Sequence, residues 1–219
     1  MKKQFIKPIV IVLFLSTQTF AYSGKITYTQ GEVKVISNGQ TKKAEKDAVV
    51  SAGDSLKTGS QSLVILAMDD NAQLKLNENS DLKIPLKQEN AVALNSGSVF
   101  SKIPKQKLKQ QFKVITPTAV MGVRGTQFFT AYGTDAEHST DLWMCVEEGS
   151  VDVTANDTKK SVVVNEGQGI LVTDQKGITA PKKYAWTKKL NWNLDPASGD
   201  VENKLKINYK KSLLKEDYN

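Results

Sequence analysis

Short segments in which apolar and polar residues alternate, each followed by a turn-forming sequence, dominate the chain from residue 24 to residue 173. A period of two is typical of β-strands with one buried face, whereas an amphipathic helix shows a period of 3.6. Residues 62–68 are nearly all apolar, so this strand is expected to be buried on both faces. The remaining predicted strands are residues 31–36, 73–76, 81–84, 91–94, 97–103, 112–115, 127–132, 141–146, 149–153, 161–164 and 167–172. An all-β fold with one buried core is therefore predicted.

One segment, residues 116–128, concentrates a proline, two glycines and an isolated arginine between two predicted strands. Pro117 lacks a backbone donor and favours an extended Thr116, so the strand of residues 112–115 is expected to end there. Arg124 carries five donors in a fixed geometry. We expect its guanidinium to fold inward onto carbonyls of the Thr116-Pro117 turn and nearby glycine loops, as buried carbonyls need partners. The alternative is that it points outward and binds a partner.

The same segment closely resembles the signature of the FecR domain family. The matching residues are Thr116, Pro117, Val123, Arg124, Gly125, Thr126 and Phe128. Strands that open with glycine, a polar residue and valine, together with the loop of residues 53–59, extend the resemblance over about residues 24–173. At Asp70-Asn71-Ala72 the family commonly has Asp-Gly-Ser, which changes the turn chemistry but keeps a turn. The resemblance implies a twisted, β-solenoid-like stack of short strands.

The family's best-known members are transmembrane regulators that couple an outer-membrane receptor to a sigma factor, and other members are stand-alone exported proteins. The sequence shows neither the cytoplasmic segment nor the membrane span of the sigma-regulating members. We therefore expect a non-enzymatic binding or scaffold module of the cell envelope, which contacts an envelope protein or a cell-wall polymer. The alternative is a periplasmic signalling component that relays receptor occupancy to a sigma-factor regulatory system.

The first 21 residues have the pattern of a secretory signal peptide: a lysine-rich start, a short apolar run and small residues before the cleavage site. Cleavage is expected after Ala21, which makes the mature protein periplasmic or secreted. Since no further long apolar segment follows, no membrane span is expected after cleavage.

After the signal peptide, the chain is expected to consist of a β domain of residues 22–180 and a basic tail of residues 181–219. The tail contains nine lysines and five acidic residues, so it accounts for much of the formal charge of +7. Tyr184, Trp186 and Trp192 lie among these lysines and are candidate binding residues, and the tail is a candidate contact for an anionic surface. The alternative is that these rings cover one end of the β-stack. No nucleic acid partner is expected, because the β region has no basic stripe. Asp195-Pro196 is typical of a helix start, but Leu205, Ile207 and Tyr209 alternate like a strand, so both a short helix and a strand are left open here.

Residues suited to catalysis are few and scattered. Cys145 is the only cysteine and is expected to be a buried, inert thiol on a strand, while the only histidine, His138, lies in a polar loop. The acidic pairs Asp69-Asp70 and Glu147-Glu148 lie at predicted turns. No nucleophile, base and orienting group can be assembled from these residues. We therefore predict no enzymatic activity, no metal site and no cofactor.

Overall fold

The computed structural model describes residues 22–86, 90–105, 111–134, 140–173 and 177–203 of the 219-residue chain. This part of the chain is 57% strand and 2% helix, which confirms the all-β prediction. Its eighteen strands form one continuous network that does not close on itself. The longest strand, β9 (Ala91–Ile103), belongs to both halves of this network, which we call sheet A and sheet B.

Sheet A extends on both sides of the second half of β9. In spatial order they are β4 (Val49–Ser51), β1 (Ser23–Gln30), β6 (Leu63–Met68), β7 (Gln73–Leu76), β9, β12 (Thr126–Tyr132), β13 (Leu142–Glu148) and β16 (Gln168–Thr173), with β17 (Gly177–Ile178) and β18 (Lys182–Lys183) both beside β16.

Sheet B extends on both sides of the first half of β9. In spatial order they are β3 (Gln40–Lys43), β2 (Val33–Ser37), β5 (Ser55–Thr58), β8 (Asp81–Lys83), β9, β10 (Phe112–Ile115), β11 (Ala119–Val123), β14 (Ser150–Ala155) and β15 (Ser161–Asn165). Strand β5 lies in the segment that the sequence predicted as a glycine loop, so that part of the prediction was wrong.

The order of strands within each sheet follows the order of the chain, apart from β3 and β4 at the edges. The chain alternates between the sheets as it proceeds and adds new strands at the growing end of each. Neighbouring strands are antiparallel, with one exception among the described strands, the parallel pair of β9 and β10. The result is a progressive winding of short strands, as expected for a solenoid-like stack.

Gly97 allows one strand to serve both sheets. The sequence predicted two strands here, residues 91–94 and 97–103, but the structure has a single strand. Gly97 adopts φ of +87°, which only glycine takes up easily, and the backbone bends there without leaving the hydrogen-bonded ladders. Before the bend β9 pairs with β8 and β10, and after it with β7 and β12. Gly97 is therefore the position at which β9 bends from one sheet into the other, and it does not end the strand.

The main core lies between the two sheets and takes side chains from both. Leu66 and Leu74 enter it from sheet A, and Leu56 and Val114 enter it from sheet B. All four are fully buried. Such burial removes about 1.5–3 kcal/mol of unfavourable apolar hydration per large side chain.

Sheet A is apolar on its outer face as well. Along β13, Leu142, Met144 and Val146 face the main core, while Trp143 and Cys145 face outward into a second cluster, so the two sets occupy opposite faces as alternation along a strand requires. Strand β6 is likewise buried on both faces, which confirms the expectation for this apolar segment. The outer face of sheet A therefore needs a cover.

Residues 184–203, which we call the strap, provide this cover by running across the outer face of sheet A. A 3₁₀ helix, Ala185–Lys189, begins the strap. Leu190 and Leu194 then pack onto the second cluster, and Val201 packs onto Leu63 and Ile65 of β6.

The short helix indicated by Asp195-Pro196 is absent from the described part of the strap, and Leu205, Ile207 and Tyr209 lie outside the described residues. A tight turn takes its place, in which the Asp195 carboxylate accepts a hydrogen bond from the backbone N–H of Ala197 at 2.9 Å, and the Asp195 carbonyl accepts one from Ser198 at 3.0 Å. Asn193 also stabilises this exposed turn, because its Oδ1 accepts hydrogen bonds from the Asp195 N–H at 2.9 Å and from the Ser198 hydroxyl at 2.9 Å. Within the described residues, no helix has the length and apolar character needed to cross a bilayer.

Candidate functional site

The first half of the signature forms the tight turn between β10 and β11. Strand β10 ends at Ile115, as predicted from Pro117. Thr116 is buried and closes the turn in both directions: its N–H donates to the Ala119 carbonyl at 2.9 Å, and its Oγ1 accepts from the Ala119 N–H at 3.1 Å. Pro117 is exposed at the tip. This half of the signature therefore has a structural role.

Asn156, which follows β14, satisfies the carbonyls of this turn. Its Nδ2 donates to the carbonyls of Thr116 at 3.1 Å and Pro117 at 2.9 Å, and its backbone N–H donates to the Thr118 carbonyl at 2.8 Å. This is the role that the sequence interpretation gave to Arg124. The asparagine was missed because only the pairing of β14 with β11, which no local pattern shows, brings it to the turn.

Arg124 is exposed on the turn between β11 and β12, so the expectation that it folds inward was wrong. In the described part of the chain, its guanidinium has no hydrogen bond or ion pair. It is also the only arginine in the sequence. A guanidinium in this position is available to a carboxylate or phosphate group of another molecule, to which it can make paired hydrogen bonds.

The other signature residues fix this turn to the body of the protein. Gly125 adopts φ of +64°, and the Oγ1 of Thr126 donates to the carbonyl of Ser150 at 2.9 Å. Val123 and Phe128 are buried in the main core on either side. The position of Arg124 is therefore set by anchored neighbours, which is the usual requirement for a recognition residue.

An open groove of about 420 Å³ begins at Gly125, directly after the arginine. Its lining includes Lys102, Lys105, Gln127 and Glu148, and Lys105 lies 3.7 Å from the Glu148 carboxylate. The two lysines exceed the single acid, so the lining has a net positive charge next to Arg124. Groove and arginine together suit an acidic or amide-rich segment of a partner.

Two of the three candidate aromatic residues of the tail, Tyr184 and Trp192, lie at the sheet and not on an open surface. Tyr184 is only 3% exposed, and Trp192 is half-buried with its ring edge-on to Phe100 at 5.2 Å. The indole N–H of Trp192 donates to the Thr187 carbonyl at 3.1 Å, and its carbonyl accepts from Gln127 at 2.8 Å. These two rings thus cover the outer face of sheet A. The side chain of Trp186 lies outside the described part of the structure.

Lys75 of β7 is the most unusual polar residue, and the sequence interpretation did not single it out. It is fully buried beneath the strap. Its Nζ donates to the carbonyls of Asn191 at 2.7 Å, Asn193 at 2.8 Å and Val201 at 3.0 Å, and lies 4.2 Å from the centroid of the Phe100 ring. Burial lowers the pKa of Lys75 to about 8, and the charge of Asp200 opposes this shift. Lys75 therefore fastens the strap.

The groups with possible chemical reactivity are dispersed. Cys145 is fully buried, and this burial raises the pKa of its thiol well above the ordinary value. Burial also raises the pKa of Glu147, with a smaller contribution from Glu166. Asp70 accepts a hydrogen bond from the Tyr22 hydroxyl at 3.2 Å. Among the described residues no three acidic, histidine or cysteine side chains converge on one point, and His138 lies outside them.

The model of the FecR protein family matches residues 54–168, which is more than half of the chain. The chain belongs to the FecR family. The match confirms the resemblance drawn from the signature, and it includes Arg124, the groove-lining lysines and Lys75. Strands β1 to β4 and the strap of this FecR chain lie outside the matched residues.

Two crystal structures, at 1.65 and 2.50 Å resolution, have a similar fold, and each is described as a "putative anti-sigma factor from Parabacteroides distasonis ATCC 8503". Each is 19% identical to the FecR chain with a TM-score of 0.52 over 62% of the chain, and the match covers 63% and 62% of the two solved chains. The chain thus matches less than two thirds of their length. No curated protein matches the sequence.

Proposed function

We propose that this FecR-family chain is a non-enzymatic signalling component of the cell envelope that contacts another protein through Arg124 and the adjoining groove. The exposed guanidinium on a turn whose neighbouring residues are anchored is the observation that carries the proposal. It stands at the one turn where the family signature reaches the surface without an internal partner among the described residues. The family membership and the description of the two similar structures as anti-sigma factors support a regulatory role.

The partner surface that fits this site is acidic. Lys102 and Lys105 line the groove with the single carboxylate of Glu148, and the exposed Arg124 directly precedes the lining residue Gly125. Such an excess favours a segment with aspartate or glutamate side chains, and exposed pairs of this kind contribute to orientation and association rate more than to affinity. Export through the signal peptide of residues 1–21 belongs to the same proposal and places the contact in the periplasm or outside the cell.

A second candidate is the envelope scaffold, in which the same groove holds an anionic cell-wall polymer. The positive lining favours it, because polymer carboxylates or phosphates present the same charge as an acidic protein segment. The two candidates differ in the molecule that occupies the groove.

Site-specific photo-crosslinking in living cells tests both candidates. A crosslinking amino acid is placed in the groove at Gln73 or at Gln127, which leaves Arg124 intact, and a control is placed at Lys42 on the distant strand β3. We expect a receptor or an anti-sigma protein to be captured at 73 and 127 and not at 42. Capture of wall polymer instead supports the scaffold, and equal capture at all three positions contradicts a specific site.

The chemistry of recognition is tested with the partner so identified. Replacement Arg124→Ala should weaken its binding by about tenfold or more, and Arg124→Lys should restore only part of it, since lysine lacks the planar fork. Unchanged binding of the alanine variant would exclude Arg124 as the recognition residue.

A further inference from the structure

Strand β15 is an edge strand that lacks the usual protection against pairing. Among the described strands it pairs only with β14. Its sequence, Ser-Val-Val-Val-Asn, contains no charge and no proline, and Val163 is 52% exposed. Natural edge strands are normally short, charged or covered, because their unpaired backbone groups accept another strand. Strand β15 has none of these protections.

The other edges of the two sheets are protected. At the opposite edge of sheet B, β3 has two lysines in its four residues. At the edges of sheet A, β4 has three residues, and β17 and β18 have two each. The lack of protection is therefore confined to β15, within the part of the chain that the structure describes.

The hydrogen bonds at the start of β15 show which of its backbone groups point away from the sheet. The N–H of Ala155 donates to the carbonyl of Lys160 at 2.9 Å, so Lys160 faces β14. In an antiparallel ladder this orientation repeats every second residue. Val162 and Val164 therefore bond to β14, whereas the N–H and C=O groups of Val163 point outward, into the position of a further strand.

We propose that the β15 edge joins two copies of this chain through an antiparallel β15–β15 pair centred on Val163. In this register Val163 lies opposite Val163 of the second copy, and each exchanges its N–H and C=O groups with the other. Val162 lies opposite Val164, and Ser161 lies opposite Asn165. The uncharged five-residue segment of one copy can thus pair with the same segment of the other copy.

Charge complementarity at both ends supports a second copy as the occupant. The register that pairs Val163 with itself places Lys160 opposite Glu166 of the other copy, and the two-fold symmetry makes this contact twice. Both side chains are exposed, and neither has an ion pair in the described part of the chain. Opposite charges on directly facing residues stabilise an antiparallel pair by about 0.2–1 kcal/mol each. A one-residue shift of the register would lose both contacts.

The neighbourhood of the edge leaves room for the second chain. The turn after β15 has open space, since a Cβ placed on Gly167 meets no atom within 4 Å.

One outward-pointing backbone group of β15 already has a partner, because the N–H of Asn165 donates to Gln168 Oε1 at 3.0 Å. A second strand would compete with Gln168 for this N–H. A pair of five-residue strands buries less area than a standard interface, so we expect a dissociation constant that is micromolar or weaker, about 10⁻⁶ M or above. The proposal is independent of the partner site at Arg124.

Sedimentation of the full mature chain over a wide concentration range tests the dimer. Wild type should convert from monomer to dimer, and Val163→Lys should raise the dissociation constant at least tenfold by placing two lysines opposite each other. The matched control is Val49→Lys, which alters an exposed valine of β4, 64% accessible, and should leave the dissociation constant unchanged. Unchanged circular dichroism of both variants confirms that they fold. A wild type that stays monomeric at millimolar concentration overturns the proposal.

A charge swap tests the register. Lys160→Glu alone and Glu166→Lys alone should each weaken the dimer, because like charges then face each other at both ends. The double variant Lys160→Glu with Glu166→Lys should regain the wild-type dissociation constant within about threefold, since each pair is restored with reversed signs. A dimer that withstands Val163→Lys, or a double variant no better than the single ones, shows that the β15 edge in this register is not the interface.

Discussion

Replacing Lys75 by methionine is expected to release the strap from sheet A. Methionine has a similar length and keeps the apolar contact with Phe100, but it cannot donate a hydrogen bond. The carbonyls of Asn191, Asn193 and Val201 would then lose the donor that holds them at 2.7–3.0 Å. Because these carbonyls lie along the strap, they regain partners only if the strap separates from the sheet and water enters.

The magnitude follows from these contacts. A buried acceptor that loses its partner costs about 1–3 kcal/mol, so three carbonyls left in place would cost about 3–9 kcal/mol. The variant avoids burying an ammonium group, and the lowering of the pKa of Lys75 from 10.5 to about 8 sets this gain at about 3 kcal/mol. The middle of the range gives a net loss of about 3 kcal/mol in the free energy of unfolding, which is a large share of a typical total.

The same pKa gives the direction of a pH effect. The folded pKa of about 8 lies below the unfolded value of 10.5, so between these values the unfolded chain holds more protons at Lys75. The stability contributed by this group therefore rises as the pH rises from 8 to 10.5. When the pH is lowered this contribution is lost over the same window, and it is gone once the pH has fallen through 8. Since Lys75→Met lacks the titration, the stability difference between wild type and variant should widen over this window.

Denaturant unfolding of wild type, Lys75→Met and the control Lys113→Met measures these quantities. Lys113 is exposed on β10, so its replacement should change the free energy of unfolding by less than about 0.5 kcal/mol. Limited trypsin digestion reports on the strap directly, through cleavage after Lys188 and Lys189, which the 3₁₀ helix contains. If Lys75→Met unfolds like wild type and the strap stays protected, the three hydrogen bonds do not hold it, and the reasoning fails.

Three further outcomes are expected. Replacement Asn156→Ala should destabilise the protein by about 1–2 kcal/mol, because carbonyls of the Thr116-Pro117 turn lose their donor, whereas Arg124→Ala should stay within about 0.5 kcal/mol of wild type; thermal melts that reverse this order would restore the arginine as the structural residue. The Cys145 thiol, whose burial raises its pKa, should resist a disulfide reagent at pH 8 until denaturant is added, and rapid labelling of the folded protein would contradict its burial. N-terminal sequencing of the envelope fraction should find Tyr22 first, and retention of the initial methionine would exclude cleavage.

Much of the strand content was readable from the sequence because each strand has faces of different polarity or a clear terminator. The alternation in β13 placed Trp143 and Cys145 on the face opposite to Leu142, Met144 and Val146, and Pro117 gave the correct end of β10. The arrangement of strands was not readable in this way. Whether Gly97 ends a strand or bends it depends on the strands that pair on either side, and these come from distant parts of the chain.

The candidate site shows the same limit at the level of single side chains. The local sequence indicated that Arg124 would bind the carbonyls of the Thr116-Pro117 turn. In the structure Asn156 binds them instead, although it lies 40 residues after Thr116 in the chain. Lys75 occupies a polar position of an alternating strand and so has the pattern of a solvent-facing residue. Its burial depends on carbonyls that lie 116 to 126 residues later in the chain. A period of two reports which face a residue is on, but not what covers that face.

The strap also has a consequence for biosynthesis. The outer face of sheet A is covered by the last described residues, and the contact between Gln30 and Glu202 joins positions 172 residues apart. A chain that emerges from its N-terminus therefore holds Phe100, Phe129 and Trp143 uncovered until residues 184–203 have followed. Apolar surface and open strand edges in such an intermediate favour aggregation and chaperone binding. Truncation before the strap should thus affect the yield of soluble protein before it affects any binding site.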